Sequence, residues 1–196
     1  MMGPARVSAP ERMDDPGVDG AELAVGLEDL RAVNRWMGGG RVVLRHLVPM
    51  LRRLPEPSCS LLDVGTGSGD IPLMAVERAR REGVTLRATA TDIHPATLAL
   101  AARHTAAEPL VVVERADALA LPYPDGTFDF AVCCAALHHF DGEEAVQALR
   151  ELGRGASRGV IVSDLERSRT ALASVQLLAH TLWRSHPITR HDGPVS

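Results

Sequence analysis

Hydrophobic positions change rhythm along the chain, and the change divides it. From Ala21, Leu23, Leu27, Leu30 and Met37 recur on one helical face, with Glu22, Glu28, Asp29 and Arg31 elsewhere. Gly38, Gly39 and Gly40 predict a stop and a hinge. A second helical pattern follows through Val43, Leu44, Leu47, Val48, Leu51 and Leu54. Pro49 lies inside it as an expected kink, and Pro55 and Pro57 end it. Beyond this point short apolar runs alternate with helical periods. Strands are predicted near 60–64, 84–91, 110–114, 128–135 and 159–164. Helices are predicted over 71–82 and 95–104, from a cap at Asp141 with Glu144 to about Arg154, and over 168–184. The run Phe128 to Ala135 is too apolar to have a wet face. Such an alternation predicts an α/β fold: a Rossmann-like, doubly wound, mostly parallel sheet with helices on both faces, preceded by N-terminal cap helices. The expected organisation is a flexible lead-in at 1–20, rich in Pro and Gly, a helical cap at 21–57 and a core at 58–196.

Composition narrows the chemistry. The chain has 196 residues and a formal charge of −4, which fits one domain and favours neither nucleic acid nor an anionic membrane as a partner. All 21 basic residues are Arg; there is no Lys. That excludes a P-loop ATPase, a protein kinase and Schiff-base catalysis. Three Cys cannot supply a four-Cys zinc or iron–sulfur site, and Cys133 and Cys134 read as small core residues. Sparse, unpaired Cys, with no apolar run of membrane-spanning length and no secretory pattern, predict a cytoplasmic protein.

The informative segment is Leu61-Leu62-Asp63-Val64-Gly65-Thr66-Gly67-Ser68-Gly69-Asp70. A strand runs into three alternate glycines and then a helix. Glycines permit a tight turn and a close ligand approach, and the helix start offers N–H groups to an anion. This alone implies a nucleotide-like cofactor at a switch point. Spacing separates the ligands: a dinucleotide fingerprint would place glycine where Asp70 stands.

Asp63-Val64-Gly65-Thr66-Gly67-Ser68-Gly69 resembles the first motif of the class I S-adenosylmethionine-dependent methyltransferases. Three further matches follow in order. Asp92-Ile93 closes the second strand. Asp117-Ala118 follows the third. Leu121-Pro122-Tyr123-Pro124-Asp125-Gly126-Thr127-Phe128-Asp129 leads into the fourth, which ends in Ala135-Ala136-Leu137-His138-His139-Phe140, as in small-molecule enzymes of the quinone-biosynthesis type. The resemblance implies S-adenosylmethionine as cofactor, a small-molecule acceptor and no metal. It implies cofactor contacts from Asp63, Gly65, Thr66, Gly67, Gly69, Asp92, Ile93, Asp117, Ala118 and Ala135. Asp92 would accept the ribose hydroxyls, Asp117 the adenine amine, and Asp63 would offset the ammonium.

His138 and His139 fall where the methyl would be transferred. Either could deprotonate an acceptor, or could pack as a loop residue. On an extended segment the two rings would point apart, which argues against a shared metal. Arg35 and Trp36 could line the acceptor pocket on a lid helix, or lie at the surface. Arg190-His191-Asp192 could reach the acceptor or remain a solvated tail. The alternatives to a methyltransferase are an NAD(P)-dependent oxidoreductase and a non-catalytic cofactor-binding or partner-binding relic. The family's sheet has seven strands and five are predicted here, so the expectation is a fragment, with self-association through an exposed sheet edge.

Overall fold

A computed structural model of the chain describes residues 12–14, 17–37, 39–164 and 186–195; for 14, 33–37 and 193–195 it describes the backbone only. The described chain divides inside its first helix into two units, 33–164 and a smaller one formed by the two ends.

The larger unit is built on a five-stranded parallel sheet. Its strands are β1 (Ser58–Val64), β2 (Thr85–Asp92), β3 (Val111–Arg115), β4 (Phe128–Cys134) and β5 (Ala156–Ser163). They lie in the order β3-β2-β1-β4-β5, every pairing parallel. The helices are α1 (Gly20–Met37), α2 (Gly39–Leu51), α3 (Asp70–Arg81), α4 (Pro95–Thr105) and α5 (Gly142–Gly155). Val43, Leu47 and Leu51 of α2 and Ile71, Ala75, Val76 and Ala79 of α3 close one apolar core over Leu61, Leu86, Ala88, Phe130, Val132 and Ile161. A second core forms around Leu62, Val64, Ala131 and Cys133, with Leu152 of α5. The sheet is thus covered by helices on both faces, as its apolar strands predict.

α1 stops at Met37 as the glycines predict, but Gly39 and Gly40 are helical where a hinge was expected. A Cβ at Gly40 would stand 2.6 Å from Met74 Sδ, so the residue serves close helix–helix approach. Pro49 is accommodated within α2, which ends two residues later. Asp141, by contrast, caps α5 as its spacing predicts: its carboxylate accepts from the Glu143 and Glu144 N–H groups while the Glu144 carboxylate accepts from Asp141 N–H.

Arg154 of α5 organises the long approach to β4. Its guanidinium donates to the Leu121 and Tyr123 carbonyls and to the Asp125 and Glu151 carboxylates. Leu121 N–H is held in turn by Glu151. Arg154→Ala is expected to loosen residues 121–127 before the sheet. Faster hydrogen exchange confined to those amides would establish this, and unchanged protection there would refute it.

In the smaller unit, residues 187–195 form a helix, α6 (Pro187–Val195), where the sequence suggested a tail. Ile188 is buried, its Cγ2 standing 3.0 Å from where a Cβ at Gly26 of α1 would lie. His186 Nδ1 and the Thr189 hydroxyl both bond one oxygen of Asp29, each at 2.6 Å. Asp192 is 4% exposed and accepts from Arg12 and Met13 N–H. It is therefore an internal anchor and not part of a solvated tail. The helix predicted over 168–184 lies outside the described residues.

Candidate functional site: the carboxyl ends of the strands

The strand order reverses between β1 and β4, and in open α/β sheets the ligand crevice opens at such a point. The candidate residues line up along this edge, because each closes a strand or begins the loop after it.

At the centre is the turn after β1. Gly65, Gly67 and Gly69 all adopt the left-handed conformation, with φ of 70°, 55° and 76°. Thr66 N–H donates to the Thr91 carbonyl at 2.8 Å, the Thr91 hydroxyl donates to the Asp63 carbonyl at 2.9 Å, and Gly67 N–H donates to Asp92 Oδ2 at 3.3 Å. Behind the turn, His104 Nδ1 lies 2.7 Å from the Ser68 carbonyl, and Ser68 donates its hydroxyl to Asp70. The loop is pinned from β2 and α4 before any ligand is considered.

Asp63 is buried, and its Oδ2 has no hydrogen-bond partner among the described residues. Burial pushes its carboxyl up to about 7, and the negative Asp70 and Asp92 reinforce the rise. Asp92 is also raised, mainly by burial, although the His94 and Gly67 N–H groups favour its charge. A buried carboxylate oxygen without a donor among the described residues fits a cationic ligand group.

On the β3 side, Ala116 N–H bonds the Asp92 carbonyl, which brings the next two residues to the edge. Asp117 is exposed and closes a tight turn by accepting from Leu119 N–H at 2.9 Å; Ala118 is half-buried. Ile93 is 43% exposed, an apolar side chain in the open beside Asp92.

On the β4 side, Ala135 has φ 53°, the one non-glycine residue with positive φ among those described. Such strain persists only where the surroundings over-determine it. Here Ala135 N–H is tied to the Ser163 carbonyl of β5 at 2.8 Å. The following residue seals the switch point: a Cβ at Gly65 would lie 2.5 Å from Ala136 Cβ.

Leu137–His139 form a single 3-10 turn, so the two imidazoles do not diverge as an extended segment would require; their centroids are 4.3 Å apart. Asp164, at the end of β5, holds His138 twice. Its Oδ2 accepts from His138 N–H at 3.0 Å, and its Oδ1 lies 2.7 Å from Nδ1. The sequence offered Asp164 only as the end of a strand. Its role depends on β5 lying beside β4, which no local pattern states. The one available signal was an acidic residue at the carboxyl end of a strand, and every strand but β4 carries one within two positions of its end.

Arg35 and Trp36 lie on α1, and their side chains fall outside the described residues. Cys133 is buried and its thiol is pushed up to about 12, chiefly by burial, as befits a core residue. No group of three or more His, Cys, Asp or Glu able to hold a metal occurs among the described residues.

Residues 61–159, half of the chain, match the model of the methyltransferase domain. A demethylmenaquinone methyltransferase of Thermus thermophilus is 41% identical over 100 residues, which cover 50% of this chain and 43% of that one. A ubiquinone/menaquinone biosynthesis C-methyltransferase of Rickettsia akari is 31% identical over 112 residues, 53% of this chain and 45% of the other. The chain thus spans less than half the length of these two relatives. Among solved structures, a putative S-adenosylmethionine-dependent methyltransferase from Methanococcus maripaludis superposes with a TM-score of 0.60 at 12% identity, covering 92% of this chain and 78% of that chain. One from Aquifex aeolicus gives 0.57 at 20% identity, covering 76% and 74%. The fold is that of the S-adenosylmethionine-dependent methyltransferases. With the glycine turn, the acidic strand ends and the matched segment all in one continuous unit, the chain belongs to the methyltransferase domain family.

Proposed function

We propose that the protein transfers a methyl group from S-adenosylmethionine to a small acidic acceptor of the quinol type. The observation that carries this reading is the buried Asp63 carboxyl, whose Oδ2 has no partner among the described residues, two positions before a left-handed glycine turn that is itself bonded to Asp92. The cofactor's parts fit the residues present. Asp63 would offset its ammonium, and the left-handed turn Gly65–Gly69, with no side chains at its three glycines, would receive its carboxylate. Asp92 keeps lone pairs for the ribose hydroxyls. Ile93 offers an apolar face to adenine, with Asp117 and Ala118 at its rim. A dinucleotide is a poorer fit, because its fingerprint requires glycine where Asp70 stands at the start of α3.

When bound, the cofactor supplies a methyl group on a positively charged sulfur, so neither metal nor covalent enzyme intermediate is required. What remains for the protein is to position and activate the acceptor. With Nδ1–H donated to Asp164, the second nitrogen of His138 carries the lone pair. It takes a hydroxyl proton from the acceptor, which raises electron density at the oxygen and at the ring carbons conjugated to it. Asp164 then faces the imidazolium and stabilises it. His139, stacked beside His138, shapes the same wall. The relatives' names specify quinone precursors, and one specifies carbon methylation, which favours a quinol as the acceptor here.

Calorimetric titration with S-adenosylmethionine should give saturable binding, weakened roughly 10- to 100-fold by Asp92→Ala through loss of charge-assisted hydrogen bonds. A folded protein that binds a nicotinamide dinucleotide and not S-adenosylmethionine would sink the reading. With a demethylated naphthoquinol as acceptor, His138→Ala and Asp164→Asn should each lower kcat about 100-fold or more and leave cofactor affinity unchanged. Equal kcat in the Asp164 variant would remove the pair from the mechanism.

A further inference from the structure

The formal charge of −4 conceals a local excess of the opposite sign. From Gly39 to Pro55 the chain has four Arg and no Asp or Glu. Val43, Leu47 and Leu51 bury one face of α2 in the core, which leaves Arg41, Val42, Arg45, His46 and Pro49 exposed on its outer side, with Arg52 and Arg53 just beyond. Between α2 and α3 lies a groove of about 430 Å³, floored by Leu44, Val48 and Pro49 and rimmed by Arg41, Arg45, Arg52 and Arg78. One carboxylate, Glu82, serves both Arg52 (2.7 Å) and Arg78 (2.6 Å). Among the described residues Arg45 and Arg53 make no ion pair, and Arg78 Nε is a buried donor without an acceptor. None of these groups takes part in the cofactor or acceptor chemistry described above.

We propose that this outer face of α2 docks on an anionic lipid bilayer, with phosphate headgroups among the guanidinium groups and Val42, Leu44 and Pro49 against the glycerol and upper acyl region. Three features select this occupant. Guanidinium groups pair with phosphate in a forked geometry that Lys could not offer. The groove floor is apolar, so an amphiphile matches it better than a bare inorganic ion does. No Phe, Trp or Tyr lies between Met37 and Tyr123, so the face has no platform for stacking nucleic-acid bases. The contact is peripheral: among the described residues no helix is long and apolar enough to cross a membrane.

Co-sedimentation of the full chain with vesicles tests this. Wild-type protein should bind vesicles of phosphatidylcholine with about 30% phosphatidylglycerol at least roughly tenfold better than pure phosphatidylcholine, and lose that advantage at about 0.5 M salt. The Arg45→Glu, Arg53→Glu double variant should lose it at low salt. Its unchanged melting temperature and S-adenosylmethionine affinity would show that the fold and cofactor site are intact. Equal binding to both vesicles, or undiminished binding by the double variant, overturns the proposal. So does displacement by millimolar inorganic phosphate, which would make the ligand a free anion, or equal binding to duplex DNA. The methyltransferase reading stands or falls separately, since it predicts no vesicle binding.

Discussion

Gly65→Ala is expected to abolish detectable S-adenosylmethionine binding, a loss of more than about 100-fold, and to destabilise the chain by roughly 2–4 kcal/mol. Two costs combine. A side chain at φ 70° is strained, and the new methyl would stand 2.5 Å from Ala136 Cβ, far inside contact distance. Either the turn after β1 or the Ala135–Ala136 corner after β4 must move. Ala135 is itself strained and pinned to β5, so the two walls of the crevice separate. Gly83→Ala provides the control. It has the same left-handed backbone, φ 75°, but no atom within 4 Å of the added methyl. It should cost only about 1–2 kcal/mol and leave binding unchanged. Thermal melts and calorimetry on the pair separate backbone strain from steric closure. Comparable melts for the two variants, with Gly65→Ala still binding within threefold of wild type, would refute the argument.

The second large effect concerns Asp63. Its carboxyl is raised from an ordinary 3.8 to about 7 in the folded chain. Below pH 4 it is protonated whether folded or not, and contributes nothing to the pH dependence. As pH rises from 4 to 7 the unfolded chain ionises first, so the folded state loses stability. Above 7 the loss is complete, on the order of 3–4 kcal/mol. Asp63→Asn should therefore raise the melting temperature of the cofactor-free protein by about 5 °C or more at pH 8, and change it little at pH 4. The same variant should bind S-adenosylmethionine at least roughly tenfold more weakly at pH 8, since the cofactor's ammonium would face a neutral amide. Wild-type affinity should strengthen from pH 6 to pH 8, with proton release on binding near pH 7, detectable by calorimetry in buffers of different ionisation enthalpy. An affinity flat across that range, or an Asn variant no more stable at pH 8, would contradict this account.

Legibility followed the range of the interactions. The five strands and α3, α4 and α5 were readable to within about three residues, because each carries its own period, cap or glycine stop. The glycine turn and Asp92 were readable because they occupy fixed steps from strand ends. The structure adds why the glycines are needed: all three are left-handed, and a Cβ at Gly65 or Gly69 would collide with a neighbour. α6 was not readable. Only Ile188 and Asp192 are buried among its described side chains, so no apolar period marks it, and its anchors lie on Asp29 and at residues 12–13, more than 150 positions away. Gly39 and Gly40 escape the sequence reading because helix propensity opposes glycine, yet α2 begins at Gly39 with Gly40 buried beside Met74.

The candidate residues divide in the same way. Sequence alone carried the row of strand-end residues from Asp63 to Ala135, since backbone conformation and residue type at a strand end are local matters. It also carried the apolar strands that require helices on both faces of a parallel sheet. Tertiary structure alone decided that Asp164 meets His138 across the β4–β5 pairing, that Asp63 Oδ2 has no donor among the described residues, and that four arginines gather around one groove on a chain of net negative charge. A contact between strand ends depends on sheet order, the protonation of a buried acid depends on what surrounds it, and a local electrostatic field depends on where charges lie in space.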